Sequence, residues 1–479
     1  MGNALPLKLG IVGGLGAHAG ADILNRLVQM TPVRSEGDHR EIIFEQHPLR
    51  EEISPDSQDY IPTHRKFYVF ETLYRMQERG CDAALLPCFI THTFLNELES
   101  ELNIRLISMM QAISRYLESQ GDGLNTLGVF TTPYVRKCRS FERLLGDRFD
   151  LIYPSPEKDS AALNAIYGEN GFKAGHLNPR VFHPISEAFA ELADRGADLI
   201  VPGLTEIPLL MEHIAVLKGL TVLNTAELYA DHALRETRGN LDAPFKVGVV
   251  GGVGPAATVD FLEKVVNETN AERDQDHIKV LIEQNPQIPD RTENLIGNGA
   301  DPSIALYSTC KKLENGGAKI IVIPCNTAHA YLERLQRHLN VPVVSILDTT
   351  VDHIAGEFPD ISHVGVLATD GTIGTGLYQG ALESANLMAI TPDGDHQAVV
   401  MDAIYGPEGV KAGHVTGKST EQLSAAISHL VQRGAECVIL GCTELPLLAE
   451  NLESDSVPIL IDPTRILARK CVDLALGDK

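Results

Sequence analysis

Short aliphatic runs alternate with longer amphipathic stretches along the chain. In the second half the short runs are Lys246–Val250, Lys279–Glu283, Ile320–Ile323, Val343–Ile346, Val364–Ala368 and Cys437–Leu440. Their length and β-branched content predict strands. Between them Ala257–Thr269, Asp301–Asn315 and Glu421–Arg433 carry apolar residues at helical spacing. Alternating strands and helices predict an α/β fold, a mainly parallel sheet with helices on both faces. In such sheets ligands bind at the carboxyl ends of the strands.

The whole pattern occurs twice. Leu9–Gly16 (LGIVGGLG) returns as Val247–Gly254 (VGVVGGVG), and Pro87-Cys88 with His92 returns as Pro324-Cys325 with His329. Ala165–His176 (AIYGENGFKAGH) matches Ala403–His414 (AIYGPEGVKAGH) at nine of twelve positions, and Thr205-Glu206 returns as Thr443-Glu444. The offset stays at 237 or 238 throughout, which predicts two tandem homologous domains, 1–240 and 241–479. The polar stretch Glu236 to Pro244 is the expected join.

Composition narrows the function classes. The 479 residues exceed one hydrophobic core, and 44% apolar with 22% charged residues is ordinary for a globular protein. No apolar run is long enough for a membrane span, and Met1 to Leu7 reads as no signal peptide, so a cytoplasmic protein is expected. Eight scattered cysteines without a CxxC pair fit reduced thiols. A formal charge of −24 argues against nucleic-acid binding. It also means that an anionic substrate needs local cations at its site.

Two stretches concentrate the chemistry: Pro324-Cys325-Asn326-Thr327-Ala328-His329 and Gly441-Cys442-Thr443-Glu444-Leu445-Pro446. Each cysteine directly follows a predicted strand and precedes a polar, helix-starting sequence. A thiol there is expected at a helix N-terminus, where unpaired N–H groups and the helix dipole favour a thiolate and attract a carboxylate. The 117 residues between the two cysteines allow each its own α/β subdomain, with a cleft between. Cys81, Cys138, Cys310, Cys437 and Cys471 read as apolar packing residues. The spacing of Cys325 and His329 suits two metal ligands on one helix, but no second cluster completes a structural zinc site. No metal is therefore expected, and His329 reads as a supporting residue.

Gly252 to Ala257 fits a dinucleotide fingerprint, yet its acidic partner is misplaced, with Glu283 nearer thirty residues on than twenty. A tight strand-to-helix turn beside a substrate is the preferred reading. Arg291, in a proline-bracketed loop, and Lys411, among glycines, are candidate clamps for the carboxylates of an acidic substrate.

With GVVGGVGP, NPQIPDR, PCNTAH, LATDGT, AIYGPEGVKAGH and GCTELP in order, the segment from Lys246 to about Ile461 resembles the cofactor-independent aspartate/glutamate racemases. The resemblance implies two pseudo-symmetric α/β subdomains in each domain, with the active site in their cleft. It implies no cofactor and a two-base mechanism in which Cys325 and Cys442 exchange protons with opposite faces of the α-carbon. Asn326, Thr327, Thr369 and Thr443 would hold carboxylates, and Arg291 and Lys411 would supply charge. Glu444 would bind the amino group or support Cys442. The substrate expected is a small acidic amino acid, with Arg291 favouring aspartate.

The first half departs from this pattern. Leu204 stands in place of Cys442, Phe89-Ile90 in place of Asn326-Thr327, and Ile53 in place of Arg291. It reads as a degenerate domain that packs on the second as a fused pseudo-dimer, with further homo-oligomers possible. Two alternatives stay open: a single-cysteine isomerase or decarboxylase of the same superfamily, and a protein that binds acidic amino acids without turning them over.

Overall fold

The computed structural model describes residues 7–120, 123–214, 221–237, 244–452 and 458–477. The chain divides into two compact units, Met1–Pro244 and Phe245–Lys479. Of the expected join, residues 238–243 lie outside the described residues. Glu236 is bound into the first unit through Arg105 (3.1 Å) and Arg115 (3.4 Å).

The first unit contains β1 (Leu9–Val12), β2 (Ile42–Glu45), β3 (Ala83–Leu85), β4 (Arg105–Ile107), β5 (Thr126–Thr131), β6 (Asp150–Ile152), β7 (Leu199–Gly203) and β8 (Thr221–Val222). The second contains β9 (Lys246–Gly251), β10 (Lys279–Gln284), β11 (Ile320–Val322), β12 (Val343–Val344), β13 (His363–Leu367), β14 (Met388–Ile390), β15 (Cys437–Leu440) and β16 (Ile459–Ile461). They form four four-stranded sheets with one order repeated: β2-β1-β3-β4, β6-β5-β7-β8, β10-β9-β11-β12 and β14-β13-β15-β16. Every strand pair is parallel; in the second unit Val247 lies opposite Ile320, and Leu367 opposite Leu440. Each unit is thus an α/β structure of two like halves. No helix among the described residues is long and apolar enough to cross a membrane.

Most predicted elements fall within a few residues of the observed ones, and the differences have local causes. The expected strand Val343–Ile346 stops at Val344, because Ser345 Oγ accepts the Asp348 N–H (3.2 Å) and caps the helix Ile346–Glu357. Strands β14 and β16 were not anticipated. Each has only three residues at a sheet edge, with Met388 and Ile459 facing solvent, and an apolar run that short carries little strand signal.

The central strands of the second unit are buried on both faces, and the two faces feed different cores. Val247, Val249, Ile320 and Val322 join Val364, Val366, Cys437 and Ile439 in one apolar cluster with helices Pro255–Glu268, Ile346–Glu357 and Pro463–Leu476. The alternate residues face outward. Val250, Ile321 and Ile323 pack with Cys325 in one cluster, and Val438 and Leu440 pack with Cys442 in another. A shared central core therefore joins the two sheets, and each thiol belongs to the outer core of its own half.

Gly252, at the end of β9, has φ +86°, and a Cβ there would lie 2.3 Å from the Asn285 carbonyl carbon. Gly14 of the first unit repeats the conformation, with φ +79° and a virtual Cβ 2.1 Å from His47 O. Gly252→Ala is therefore expected to destabilise the second unit by about 3 kcal/mol through strain and collision with the backbone. Gly356→Ala, at a helical position with open space around it, should stabilise it by about 0.5–1 kcal/mol. Urea-unfolding midpoints of the two variants should move in opposite directions.

Candidate active site

The turns after β9, β11, β13 and β15 meet in one cleft within the second unit. Cys325 lies three residues beyond β11 and Cys442 two beyond β15; both are 7% exposed. Contacts between the two halves tie the cleft together. Thr292 Oγ1 lies 3.2 Å from Thr369 Oγ1, and the Tyr378 hydroxyl donates to Asn326 Oδ1 at 2.7 Å. A Cβ on Gly254 would stand 2.6 Å from Glu444 Oε1, so only glycine lets the first turn pass that carboxylate.

The helix termini expected behind the thiols are slight. Asn326 leads into a 3₁₀ stretch, Thr327–Tyr331, and Glu444 into the five-residue helix Leu445–Ala449. A helix dipole sums over peptide units, so these short segments supply little charge. Side chains supply it instead, with opposite sign at the two sulfurs.

At Cys325 the charge is positive. Arg291, 7% exposed, donates to Pro289 O (3.2 Å) and Val253 O (3.1 Å), and its positive charge acts on the Cys325 sulfur. Burial alone would lower the affinity of this guanidinium for its proton. The charges of Cys325 and Asp290 outweigh burial and hold it above its ordinary value. Its Nε is buried without a partner.

At Cys442 the nearest charge is negative. The thiol donates to Glu444 Oε2 at 3.1 Å, the Thr443 hydroxyl donates to the same oxygen at 3.2 Å, and Lys411 Nζ donates to Oε1 at 2.6 Å. Burial, then the Glu444 charge, pushes the Cys442 thiol well above its usual range, and Lys411 offsets only part of that. Burial works against an ionised Glu444, but Lys411 and the two donors outweigh it and keep the carboxylate charged. Lys411 also lies over the Tyr405 ring, 5.2 Å from its centroid. Lys411, read from sequence as a substrate contact, is thus bound to Glu444, and Glu444 meets the second sulfur in the supporting role the sequence left open.

The remaining lining is polar and incompletely satisfied. Asn326 Nδ2 is buried without a partner. The hydroxyls of Thr327, Thr369 and Thr372 lie 2.8–3.3 Å apart, with Thr292 joining through Thr369. Thr292 and Thr372 were missed by the sequence reading, although Thr292 directly follows NPQIPDR and Thr372 closes LATDGT. Tyr378 carried no signal, since it follows those motifs on a helix. His329 supports the site from behind: Nδ1 lies 2.9 Å from Cys325 O, and Nε2 accepts the Ile346 N–H at 3.1 Å. Burial pushes its pKa down to about 4, so it is neutral. Glu283 points to Lys312 and takes no part. Of the five packing cysteines, four are buried and Cys138 is half-buried.

The first unit repeats this geometry with different contents. Cys88, 7% exposed, receives a hydrogen bond from Arg65 Nη1 at 2.8 Å. Sequence reasoning missed Arg65, because it stands on the following helix, opposite Pro302 at the offset of 237 that relates Cys88 to Cys325, rather than at Ile53. Unlike Arg291 it is saturated, with Glu51 accepting from Nε (3.1 Å) and Nη2 (2.5 Å). Lys173 and Glu206 keep their ion pair at 2.6 Å. Phe89, Ile90 and Leu204 are nearly fully buried, and the space beside Cys88 is about 10 Å³, room for one water at most.

Comparison with known proteins finds one family twice along the chain. The family model described as Asp/Glu/Hydantoin racemase matches residues 12–233 and again 250–471. The chain is 30% identical over 237 residues to the broad specificity amino-acid racemase RacX of Bacillus subtilis, spanning 48% of this chain and 98% of that protein. It is 32% identical over 142 residues to the glutamate racemase of Aquifex pyrophilus, spanning 29% of this chain and 52% of that one. Among solved structures, the aspartate racemase of Picrophilus torridus is similar with 30% identity and a TM-score of 0.43, over 48% of this chain and 94% of that one.

The surroundings of Cys442 make a signed prediction. Glu444→Gln removes the negative charge that disfavours the Cys442 thiolate, so that thiol should ionise at lower pH than in the unmodified protein. Ultraviolet thiolate titration, taken as the difference from a matched Cys442→Ser protein, measures it. An unmoved or raised midpoint would contradict the electrostatic account.

Proposed function

The chain belongs to the Asp/Glu/Hydantoin racemase family, and we propose that its second half interconverts the enantiomers of aspartate or glutamate with two thiols and no cofactor. The observation that carries this reading is the opposite electrostatic setting of two otherwise equivalent cysteines. A guanidinium, Arg291, lies beside Cys325, whereas a carboxylate, Glu444, accepts from the Cys442 thiol. This reading assigns the base to Cys325 and the acid to Cys442.

In one direction the Cys325 thiolate takes the α-proton and becomes a thiol. The electron pair left on the α-carbon delocalises toward the α-carboxylate, and the Cys442 S–H protonates the opposite face, leaving a thiolate. The reverse direction runs the same transfers backwards. After each turnover the protonation pattern is inverted. Return to the resting pattern needs a further proton exchange, and Glu444, bonded to the Cys442 sulfur, is placed to speed it. With no electron sink, carbanion character must be stabilised by fixed donors. Arg291 Nε and Asn326 Nδ2 are buried donors without partners, so a carboxylate bound there replaces a cost by two charge-assisted hydrogen bonds. The threonine hydroxyls suit the second carboxylate, which supports an acidic substrate in a chain of charge −24. A broader substrate range is the second reading, favoured by the likeness to the broad specificity amino-acid racemase.

The first half is proposed to be non-catalytic. Its site has one thiol, Cys88, with apolar Phe89 and Ile90 at the carboxylate-binding turn and an arginine already neutralised by Glu51. Of Arg65 and Arg291, only Arg291 keeps a buried donor without a partner.

Solvent deuterium incorporation at Cα of aspartate and glutamate, in a cofactor-free preparation, tests the mechanism. Cys325→Ser and Cys442→Ser are each expected to slow racemisation by about 10³-fold. Exchange that continues unchanged in both would sink the two-thiol mechanism. A panel of neutral amino acids distinguishes the broader substrate reading. Cys88→Ser should leave turnover unaltered, and a loss comparable to that of Cys325→Ser would place chemistry in the first half.

A further inference from the structure

A cluster of three side chains on the second unit plays no part in the chemistry above. Asp393 caps the helix Gly394–Tyr405, His396 lies on that helix, and His429 lies on the neighbouring helix Lys418–Gln432. Asp393 Oδ1 is 2.7 Å from His396 Nδ1, and Asp393 Oδ2 is 3.4 Å from His429 Nε2. The two imidazoles stack face to face, 3.6 Å between centroids with 11° between planes. One ligand atom from each residue lies within 4.8 Å of the others, and this is the only such trio of His, Cys, Asp or Glu among the described residues.

The first unit shows that the fold itself does not call for these histidines. The corresponding positions are Ser155, Lys158 and Glu191. There the same two helices are tied by Glu191, which accepts the Ser155 hydroxyl at 2.7 Å and the Ser155 N–H at 2.9 Å. In the second unit His429 Nε2 takes the place of Glu191 and accepts the Asp393 N–H at 3.5 Å, and the two stacked imidazoles share the Asp393 carboxylate. Two imidazoles and a carboxylate that converge on one spot can each offer a lone pair to a single cation.

We propose that Asp393, His396 and His429 form a surface site for a divalent transition-metal ion of the zinc class. Two imidazoles and one carboxylate select such an ion over magnesium or calcium, which prefer all-oxygen sites. Zinc–ligand bonds of about 2.0–2.2 Å require the three donors to draw in by rotation about their side-chain bonds, and a water can take the fourth position. All three side chains retain solvent access, at 52%, 39% and 13% exposure, so the movement and the ion's entry are open.

The ion would clip together two helices that flank the cleft. Gln397, beside His396, donates to Ala368 O (3.0 Å) and Asp370 Oδ1 (2.8 Å), on either side of Thr369. The other end of that helix carries Tyr405, under Lys411. Metal binding therefore braces the wall that holds these groups, and because it binds the folded state it raises the unit's resistance to unfolding.

Titration of the untagged, reduced full-length chain with Co²⁺, followed by visible absorption, tests this site. One ion per chain is expected, with ligand-field bands and no thiolate-to-cobalt charge-transfer band. Binding should persist in the Cys325→Ser/Cys442→Ser protein. It should fall at least about a hundredfold when all three ligands are replaced, since losing even an outer-shell partner costs about 10–100-fold. The variant for that arm is Asp393→Ser/His396→Lys/His429→Glu, which installs the first unit's own helix tie and so keeps the fold. Absence of binding by the unmodified chain, or binding undiminished in the triple variant, would overturn the site. A charge-transfer band that disappears with Cys325 and Cys442 would do the same by assigning the ion to the thiols. The readout is binding, so it stands or falls apart from racemisation.

Discussion

Everything at the cleft depends on one constraint of parallel sheets. In the order 2-1-3-4, the chain leaves the first strand toward one neighbour and the third toward the other, so a crevice opens at the carboxyl ends of that pair. The second unit contains this arrangement twice. A central core shared by both sheets (Val249, Val322, Val366, Ile439) presents the two crevices to one another. The turn after each third strand then delivers a cysteine, and the turn after each first strand delivers Gly252–Gly254 or Thr369. The glycines matter because a side chain at either position would meet Asn285 or Glu444.

Within that frame the decisive interactions are electrostatic and asymmetric. Backbone symmetry makes Cys325 and Cys442 equivalent, and their charged neighbours make them different. An arginine from a proline-bracketed loop serves the first sulfur. A carboxylate locked to Lys411 serves the second. Burial magnifies both effects by removing the water that would screen them. The first unit separates what is inherited from what is used. It retained the fold, the Lys173–Glu206 pair and even a guanidinium on its cysteine. It lost the second thiol, the polar turn and the unpartnered donors.

The sequence disclosed a large part of this. Duplication, sheet type, the strands ending near Cys325 and Cys442, and the residues around the cleft were legible, because short β-branched runs and loop motifs are local signals. Strands β14 and β16 were not, since three-residue edge strands have one wet face and no distinctive period. The helix N-termini expected at the thiols shrank to short segments, the 3₁₀ stretch Thr327–Tyr331 and the five-residue helix Leu445–Ala449. Arg65 escaped notice because its role depends on reach across space from a helix whose start in the second unit carries no arginine.

The amino-acid sequence by itself determined the family, the α/β class and the candidate thiols, since each rests on residue types at fixed separations. Only the tertiary structure decided which charge faces which sulfur, that Lys411 is joined to Glu444, and that Asp393, His396 and His429 share one spot on two helices. The reason is physical. Strand and helix periodicities are short-range, whereas burial and ion pairing arise between residues dozens of positions apart, and only packing brings those together.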